Sequence, residues 1–346
     1  MATMRDVANR AGVSKQTVSN VLNGRDRSPF VTPETRERIL RAIAELDYHP
    51  DSNARGLRNG RTRTFGFIVV DESPAFLSDL FHSEVASGIA EAVRASDQWL
   101  LIHGLAPGET TAARLLQPFL QRRIDGAVVT LSGPREIREA CLQRLVEGAC
   151  PFVLLEQRVD CLRGAAVLGD NADGARRAVT HLLRQGHHRI AFLTGPSAWP
   201  AVEQRVAGYI AAMRDAGREP LVFVGARTDN VVEQEWSLHT GQRLGEGLLE
   251  AQPDVSAIVA ANDVLAAGAM RAIKARGRRV PDDVAVIGFD DFEFAAYLEP
   301  PLTTVKLAGL EMGRKAAQML LRYAAEGSFD EKEVTFPATL VVRASA

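Results

Sequence analysis

Apolar residues in the first 48 positions recur at helical spacing, whereas from position 65 onward they bunch into short continuous runs. Val7, Ala8 and Ala11 share one face of a first helix, with Thr3 as its cap and Asp6 completing a weak capping box. Gly12 breaks that helix, as a tight turn with positive φ requires. In "AGVSKQTVSNVLNG", Ser14 caps a second helix over residues 15–22. Its Val18, Val21 and Leu22, at i, i+3 and i+4, face a core. Lys15, Gln16, Ser19 and Asn20 are left on the outer face, weighted toward the N-terminal end. A third helix begins at "VTPETRERILRAIAELDY", with Thr32 as cap, Pro33 at the first helical position, Glu34 at the positive dipole end and Ile39, Ile43 and Leu46 as the stripe.

Two short helices joined by a Gly turn and closed by a third make a helix-turn-helix, whose second helix fits a major groove. Gln16 and Asn20 suit adenine and Lys15 suits guanine, whereas Thr17 and Ser19 are short enough to bond phosphate oxygens. Residues 49–63, "HPDSNARGLRNGRTR", read as a linker that is marginal as an isolated helix, with Leu57 placed as an apolar wedge for a minor groove. Charge agrees. Residues 1–63 hold twelve basic and seven acidic residues, a net +5, although the 346-residue chain as a whole carries −2. The remaining residues therefore carry −7, so a basic module precedes an acidic body.

In the body, strands are predicted at 65–70, 99–104, 126–130, 151–156, 189–195, 221–225, 257–262 and 284–290. Each run is Val/Ile-rich, continuous and separated from the next by a helix-sized spacer, the pattern of parallel strands buried on both faces. Eight such units exceed one compact open sheet, and the pattern divides near 165–175. The fold class expected is α/β: two doubly wound parallel-sheet subdomains behind a small all-α head. Ligands of such folds bind beyond the carboxyl ends of strands. The residues at those ends are Asp71, Glu72, Glu156, Thr194, Gly195, Asn262, Asp263, Asp290 and Asp291, with Arg205 on a following helix. Acids, an amide and an Arg suit a ligand rich in hydroxyls, and Phe81, Trp236 and Phe292 are candidate lids over its apolar face. Taken singly, Asp263 reads equally well as a cap of the next helix.

The three cysteines, Cys141, Cys150 and Cys161, are odd in number and lack metal-ligand spacing, which fits free thiols in a reducing compartment. The first residues carry no export-signal pattern and no apolar run approaches the roughly 20 residues that span a bilayer, so a cytoplasmic protein is expected. His187-His188 stand adjacent, with no acid or third ligand at metal spacing, and no phosphate-binding Gly-rich loop follows a strand. Neither an enzyme, a metal nor a cofactor is expected. A transport binding protein would share the body but not the basic head.

"MRDVANRAGVSKQTVSNVLNG" and "VTPETRERILRAIAELDYHPDSNARGLRNGRTRTFGFIV" resemble the DNA-binding head and hinge of the LacI/GalR family of bacterial transcription regulators. "VLGDNADGARRAVTHLLRQGHHRIAFLTG", "VAANDVLAAGAMRAI" and "VAVIGFDDFEFAAYLEPPLTTVKLAGLEMGRKAAQMLL" resemble its regulatory core, which is similar to periplasmic sugar-binding proteins. The resemblance implies a head at 1–48, a hinge at 49–63 and a core at 64–346. The core's N-subdomain is expected at about 64–167 and 299–326, with "EPPLTTV" as the return crossover into it, and its C-subdomain at about 168–298 and 327–346. It further implies a homodimeric repressor that binds pseudo-palindromic operator DNA and answers to a small-molecule, sugar-like effector; a core that answers to a partner protein or a non-sugar metabolite is the alternative. Implied DNA contacts are Thr3, Ser14, Lys15, Gln16, Thr17, Ser19 and Asn20 in the head, and Asn53, Ala54, Arg55, Leu57 and Arg58 in the hinge. Implied effector contacts are Phe81, Glu156, Arg205, Trp236, Asn262 and Asp290. The loop after the first strand is longer than family members usually carry, so either Phe76 or Phe81 could supply its aromatic. The chain ends at "LVVRASA" without a leucine heptad, which implies a dimer rather than a tetramer.

Overall fold

The computed structural model describes residues 2–22, 31–49, 61–148, 150–196, 198–225 and 236–346, and it divides into two units, Met1–Thr62 and Arg63–Ala346. The hinge residues Asn53, Ala54, Arg55, Leu57 and Arg58 lie outside the described residues.

The first unit contains α1 (Met4–Ala11), α2 (Lys15–Leu22) and α3 (Pro33–Glu45). The Thr3–Asp6 capping box opens α1, and Gly12 closes it at φ 65°. The Ser14 hydroxyl accepts the Thr17 N–H at 3.1 Å, and the Thr32 hydroxyl accepts that of Thr35 at 3.3 Å. These caps satisfy amides that a helix start leaves without intrahelical partners. Val7, Ala8, Ala11, Val18, Val21, Ile39, Ala42 and Tyr48 form the core, with Leu22, Ile43 and Leu46 packed at its edge. One expectation fails. Ser19 is 5% exposed and belongs to the buried side of α2, not its outer face. It follows buried Val18 by one position, a rotation of only about 100° on a helix, so the buried stripe is wide enough to take in a small side chain beside it.

The second unit carries twelve strands among the described residues: β1 (Thr64–Val70), β2 (Trp99–Leu105), β3 (Gly126–Leu131), β4 (Phe152–Leu155), β5 (Gly164–Gly169), β6 (Ile190–Thr194), β7 (Leu221–Val224), β8 (Ala257–Ala260), β9 (Ala285–Asp290), β10 (Thr303–Lys306), β11 (Glu333–Phe336) and β12 (Thr339–Val341). Its helices are α4 (Leu80–Ala95), α5 (Thr111–Leu115), α6 (Gln117–Leu120), α7 (Arg135–Glu147), α8 (Asn171–Arg184), α9 (Pro200–Asp215), α10 (Leu238–Ala251), α11 (Asp263–Ala275) and α12 (Gly309–Glu326). The strands form two six-stranded sheets, ordered β11-β5-β4-β3-β1-β2 and β12-β10-β9-β8-β6-β7. Every pairing is parallel except β10 with β12. All eight strands expected from the sequence are present.

Two of the subdomain boundaries differ from expectation. Residues 303–306, in the "EPPLTTV" segment, stay in the second sheet, where Thr303 pairs with Ile287 and Val305 with Phe289. Residues 333–336 belong to the first sheet, with Val334 beside Val167. The chain therefore crosses between lobes after β5, after β10 and after β11. β10 is a buried Thr-Thr-Val run that completes the β9 ladder, whereas β11 is short and alternating, an edge strand without the continuous apolar signal of a central one.

Glycine permits the helices to close on one another. A Cβ on Gly313 of α12 would stand 2.2 Å from the Val85 carbonyl oxygen of α4, and one on Gly88 would stand 1.9 Å from that of Leu310. The two backbones touch directly there, which locks α4 and α12 over the first sheet and sets the position of the α4 N-terminus at the cleft. No helix among the described residues is long and apolar enough to cross a membrane.

Candidate effector cleft and nucleic-acid interface

On the head, Lys15 and Gln16 are exposed at the first turn of α2. The Gln16 Nε2 donates to Asn20 Oδ1 at 3.0 Å, so the two amides on this face are held in a mutual orientation one turn apart. Such an amide pair presents further donors and acceptors outward, the equipment for adenine edges. The Ser14 and Thr17 hydroxyls share a bond of 2.8 Å, and the Thr3 hydroxyl donates to Asp6 at 2.7 Å. Thr3, Ser14 and Thr17 thus build helix starts, where backbone amides suit a phosphate oxygen.

In the second unit, β3, β4, β8 and β9 end at a cleft between the two lobes. The six residues implied as effector contacts, Phe81, Glu156, Arg205, Trp236, Asn262 and Asp290, all line it, together with Asp79, His82, Thr130, Trp199, Ala201, Val202 and Ala261. Its open space, mouth and adjoining solvent included, is about 520 Å³. Phe81 is the aromatic that reaches the cleft. Phe76 packs instead over Gly104, where an added Cβ would meet its ring at 2.3 Å. Phe292 is not a lid: it is buried, stacks near Phe294 and donates its N–H to Asp263.

A chain of hydrogen bonds runs through the cleft floor and joins the lobes. Glu156, just past β4, accepts the Gly169 N–H at 3.2 Å and the Asn171 amide at 2.7 Å through Oε2. Asn171 Oδ1 accepts from Arg205 Nε at 2.8 Å, and Arg205 Nη2 donates to Asp290 Oδ1 at 2.9 Å. The guanidinium also donates to the Ala261 carbonyl and lies 3.8 Å above the Phe289 ring. All four side chains are buried. The Glu156 Oε1 atom is buried and has no hydrogen-bond partner. Burial lifts the Glu156 carboxyl to about 7, against the pull of the Gly169 N–H and Arg205. Burial likewise raises Asp290 above the ordinary carboxylate range despite Arg205.

Backbone strain sits at the same place. Glu156, Asp290 and Asp291 have φ of 61°, 99° and 62°, left-handed values that cost a non-glycine residue roughly 1–3 kcal/mol. The turns they make aim Glu156 and Asp290 at the cleft as the strands end. Asp291 instead pairs with Arg343 at 2.6 Å. Asn262 caps α11 through the Leu265 N–H at 2.9 Å while facing the cleft. Asp263 is neither cap nor ligand group. It accepts the Phe292 N–H at 2.8 Å and the Thr304 hydroxyl, and burial lifts it to about 8. Asp71 is held by the Ser73 N–H, outside the cleft lining. His187 meets Ser256, also away from the cleft.

Asn171, the link between Glu156 and Arg205, was not singled out from the sequence, nor were Asp79, His82, Thr130 and Trp199. Thr130 obeys the strand-end rule and was legible. Trp199 directly precedes Pro200, the start of α9, and carries no comparable signal.

Residues 3–51 match the family model of bacterial regulatory proteins of the lacI family, and residues 179–346 match that of a periplasmic binding protein-like domain. The transcriptional regulator CelR of Thermobifida fusca is 34% identical over 99% of this chain and 98% of its own length. A transcriptional regulator CelR–cellobiose complex superposes with a TM-score of 0.71 at 30% identity, covering all of both chains. The Lac repressor bound to ONPG in its repressed state superposes with a TM-score of 0.84 at 27% identity, covering 100% of this chain and 99% of that one. With a capped helix-turn-helix followed in sequence by a two-lobed α/β body, this chain belongs to the LacI family of DNA-binding transcriptional regulators.

Proposed function

We propose that the protein is a homodimeric repressor whose operator affinity is set by a neutral, sugar-like effector bound between the lobes. Lys15, Gln16 and Asn20 read bases, Thr3, Ser14 and Thr17 position the helix on phosphates, and the hinge at 49–63 joins the operator's centre through Asn53, Ala54, Arg55, Leu57 and Arg58. Ser19, being buried, supports α2 instead. Binding two half-sites of a pseudo-palindrome follows from two-fold symmetry.

The observation that supports the effector reading is the Glu156 Oε1, a buried acceptor in the cleft floor without a hydrogen-bond partner. It calls for a ligand hydroxyl or N–H, because an unpaired buried acceptor costs about 1–3 kcal/mol. Phe81 and Trp236 offer aromatic faces to the apolar side of a pyranose or furanose ring. Arg205 is neutralised by Asp290, and Asp79 adds a further acid, so a neutral ligand suits the site better than a phosphorylated one. Coupling of about 1–3 kcal/mol would change operator affinity roughly 5- to 150-fold. The protein acts by binding rather than turnover.

The test joins two measurements: thermal shift of the full chain against neutral sugars, beginning with cellobiose, their 6-phosphates and purine bases, and operator binding by fluorescence anisotropy with each compound that shifts. A neutral sugar that raises the core transition and changes operator affinity supports the reading. A response confined to purine bases or to phosphorylated compounds overturns it.

A further inference from the structure

The short segment 198–204, the end of the β6–α9 connection together with the first turn of α9, belongs to the second lobe by sheet but is fastened to the first at four points. The Ala198 carbonyl accepts the N–H of Gly133, the residue two past β3, at 3.1 Å. The Trp199 ring tilts against His82 of α4, with centroids 5.1 Å apart, and packs on the first lobe's core. Glu203 pairs with Arg138 of α7 at 2.6 Å. Gln204 Nε2 donates to the Glu156 carbonyl at 3.3 Å. Arg138 is buried, whereas Glu203 is half-exposed. Within the same segment Ala201 and Val202 line the cleft, and Arg205 follows immediately.

We infer that residues 198–204 are a clasp that holds the lobes closed over the cleft, and that the Arg138–Glu203 pair is its positioning contact, setting where Trp199, Ala201, Val202 and Arg205 stand against a ligand. The chain connections between lobes pass through the three crossings after β5, β10 and β11. The clasp is a separate attachment, made of side chains and one backbone bond, and it can release while the crossings stay intact. Arg138 is the fixed half. Its guanidinium sits in the first lobe with Glu203 as its counter-charge, and without that carboxylate a buried cation stays uncompensated, which favours opening toward water. Closing seats the first turn of α9 at the cleft and Trp199 against His82 in one movement.

The Glu203 carboxylate points to Arg138 and is not part of the cleft lining, so its effect on binding would travel through the clasp. The proposal that the clasp closes the lobes stands without any effector; its effect on affinity rests on the effector reading above. The experiment uses the full-length protein, the variants Glu203→Gln and Arg138→Met, and the double variant that combines them; Glu203→Gln alters a half-exposed site, where folding is least at risk. Hydrogen exchange without ligand is followed in peptides covering Gly133 and 198–204, with β8 as internal reference. Expected is exchange at least about tenfold faster at Gly133 and across 198–204 in Glu203→Gln, with β8 unchanged. Cellobiose and ribose binding is measured beside it by calorimetry. A sugar that binds the wild type should lose about 3- to 10-fold in affinity in Glu203→Gln, and the Arg138→Met/Glu203→Gln double variant should lose less than the two single losses combined. Unchanged exchange in Glu203→Gln overturns the clasp. Faster exchange with unchanged sugar affinity overturns the positioning role. If neither sugar binds the wild type, the sugar reading fails for these compounds and exchange alone decides the clasp.

Discussion

Replacing Glu156 with Gln should move stability and ligand binding in opposite directions. The carboxyl's pKa rises from 4.5 to about 7 in the folded protein because it is buried. A carboxyl raised in this way binds more protons folded than unfolded. Its contribution is therefore fully present below about pH 4.5 and is lost as the pH climbs through about 7. At 1.36 kcal/mol per pKa unit, the wild type forfeits about 1 kcal/mol by pH 5 and about 3 kcal/mol by pH 8. Gln keeps the shape and can still accept the Gly169 N–H and Asn171 amide, but it does not titrate. The variant should gain on the wild type as pH rises, by about 2 kcal/mol between pH 5 and pH 8, or roughly 4 °C in the core transition. Any pH-independent effect of the amide cancels in that slope, as do contributions of Asp263 and Glu84, which are present in both proteins.

Binding should fall. A ligand hydroxyl that donates to a carboxylate oxygen makes a charge-assisted bond worth about 1.5–3 kcal/mol, so the affinity loss should be about 10- to 100-fold. For the wild type, affinity should rise from pH 6 to pH 8 as Glu156 ionises, and the variant should lack that rise. Melting curves at half-unit pH steps and calorimetry with the strongest ligand from the thermal-shift screen measure both. A melting-temperature difference that stays flat from pH 5 to pH 8 would refute the account of Glu156 as a carboxyl held at energetic cost.

Gln16→Ala should narrow the gap between operator and random duplex by about 1–3 kcal/mol, read by competition anisotropy; equal losses on both duplexes would sink the base-reading role. Operator affinity should fall steeply between 50 and 200 mM salt, linearly in log–log form, and an affinity indifferent to salt would contradict a phosphate-clamping head. Gly313→Ala should destabilise the core by about 3 kcal/mol, since its methyl would stand 2.2 Å from the Val85 carbonyl; a denaturation midpoint unchanged from wild type would show that α4 and α12 can part without cost.

The sequence carried the parts of this fold that repeat a local rule. Ser14, Gly12 and Thr32 mark helix ends by chemistry that acts within three residues, and the structure uses each of them so. The central strands announce themselves because a parallel strand covered on both faces is buried at every position and therefore almost continuously apolar, as β3, β4 and β9 are. β11 and β12 are short edges with one wet face, so nothing in their composition separates them from loop. The subdomain boundary near residue 300 was misplaced for a related reason. "PPLTT" reads as a turn and a departure, yet its two threonines already continue the ladder of β9, with Val305 and Lys306, before the chain leaves the lobe.

The cleft divides along the same line. Glu156, Asn262 and Asp290 were legible because strand ends in doubly wound sheets point at ligands, whatever the ligand is. Asn171 was not, although it does as much as either acid, because its role exists only once β5 has delivered it between Glu156 and Arg205. An Asn beside an Asp at a helix start reads as capping chemistry, and Asp170 does cap α8. The Asn beside it is then free to turn inward, joining the first lobe's carboxylate to the second lobe's guanidinium where the chain first crosses. That placement gives the bond network a consequence beyond binding. Any movement of one lobe against the other must strain or break the Glu156–Asn171–Arg205 link, so a ligand that satisfies Glu156 Oε1 also changes how firmly the lobes are tied. On the proposed reading of the cleft, recognition and conformational control share these atoms, and Asn171→Ala should uncouple them: a ligand-induced thermal shift should survive in reduced form while the ligand's effect on operator affinity is lost. Equal proportional loss of both would place the coupling elsewhere.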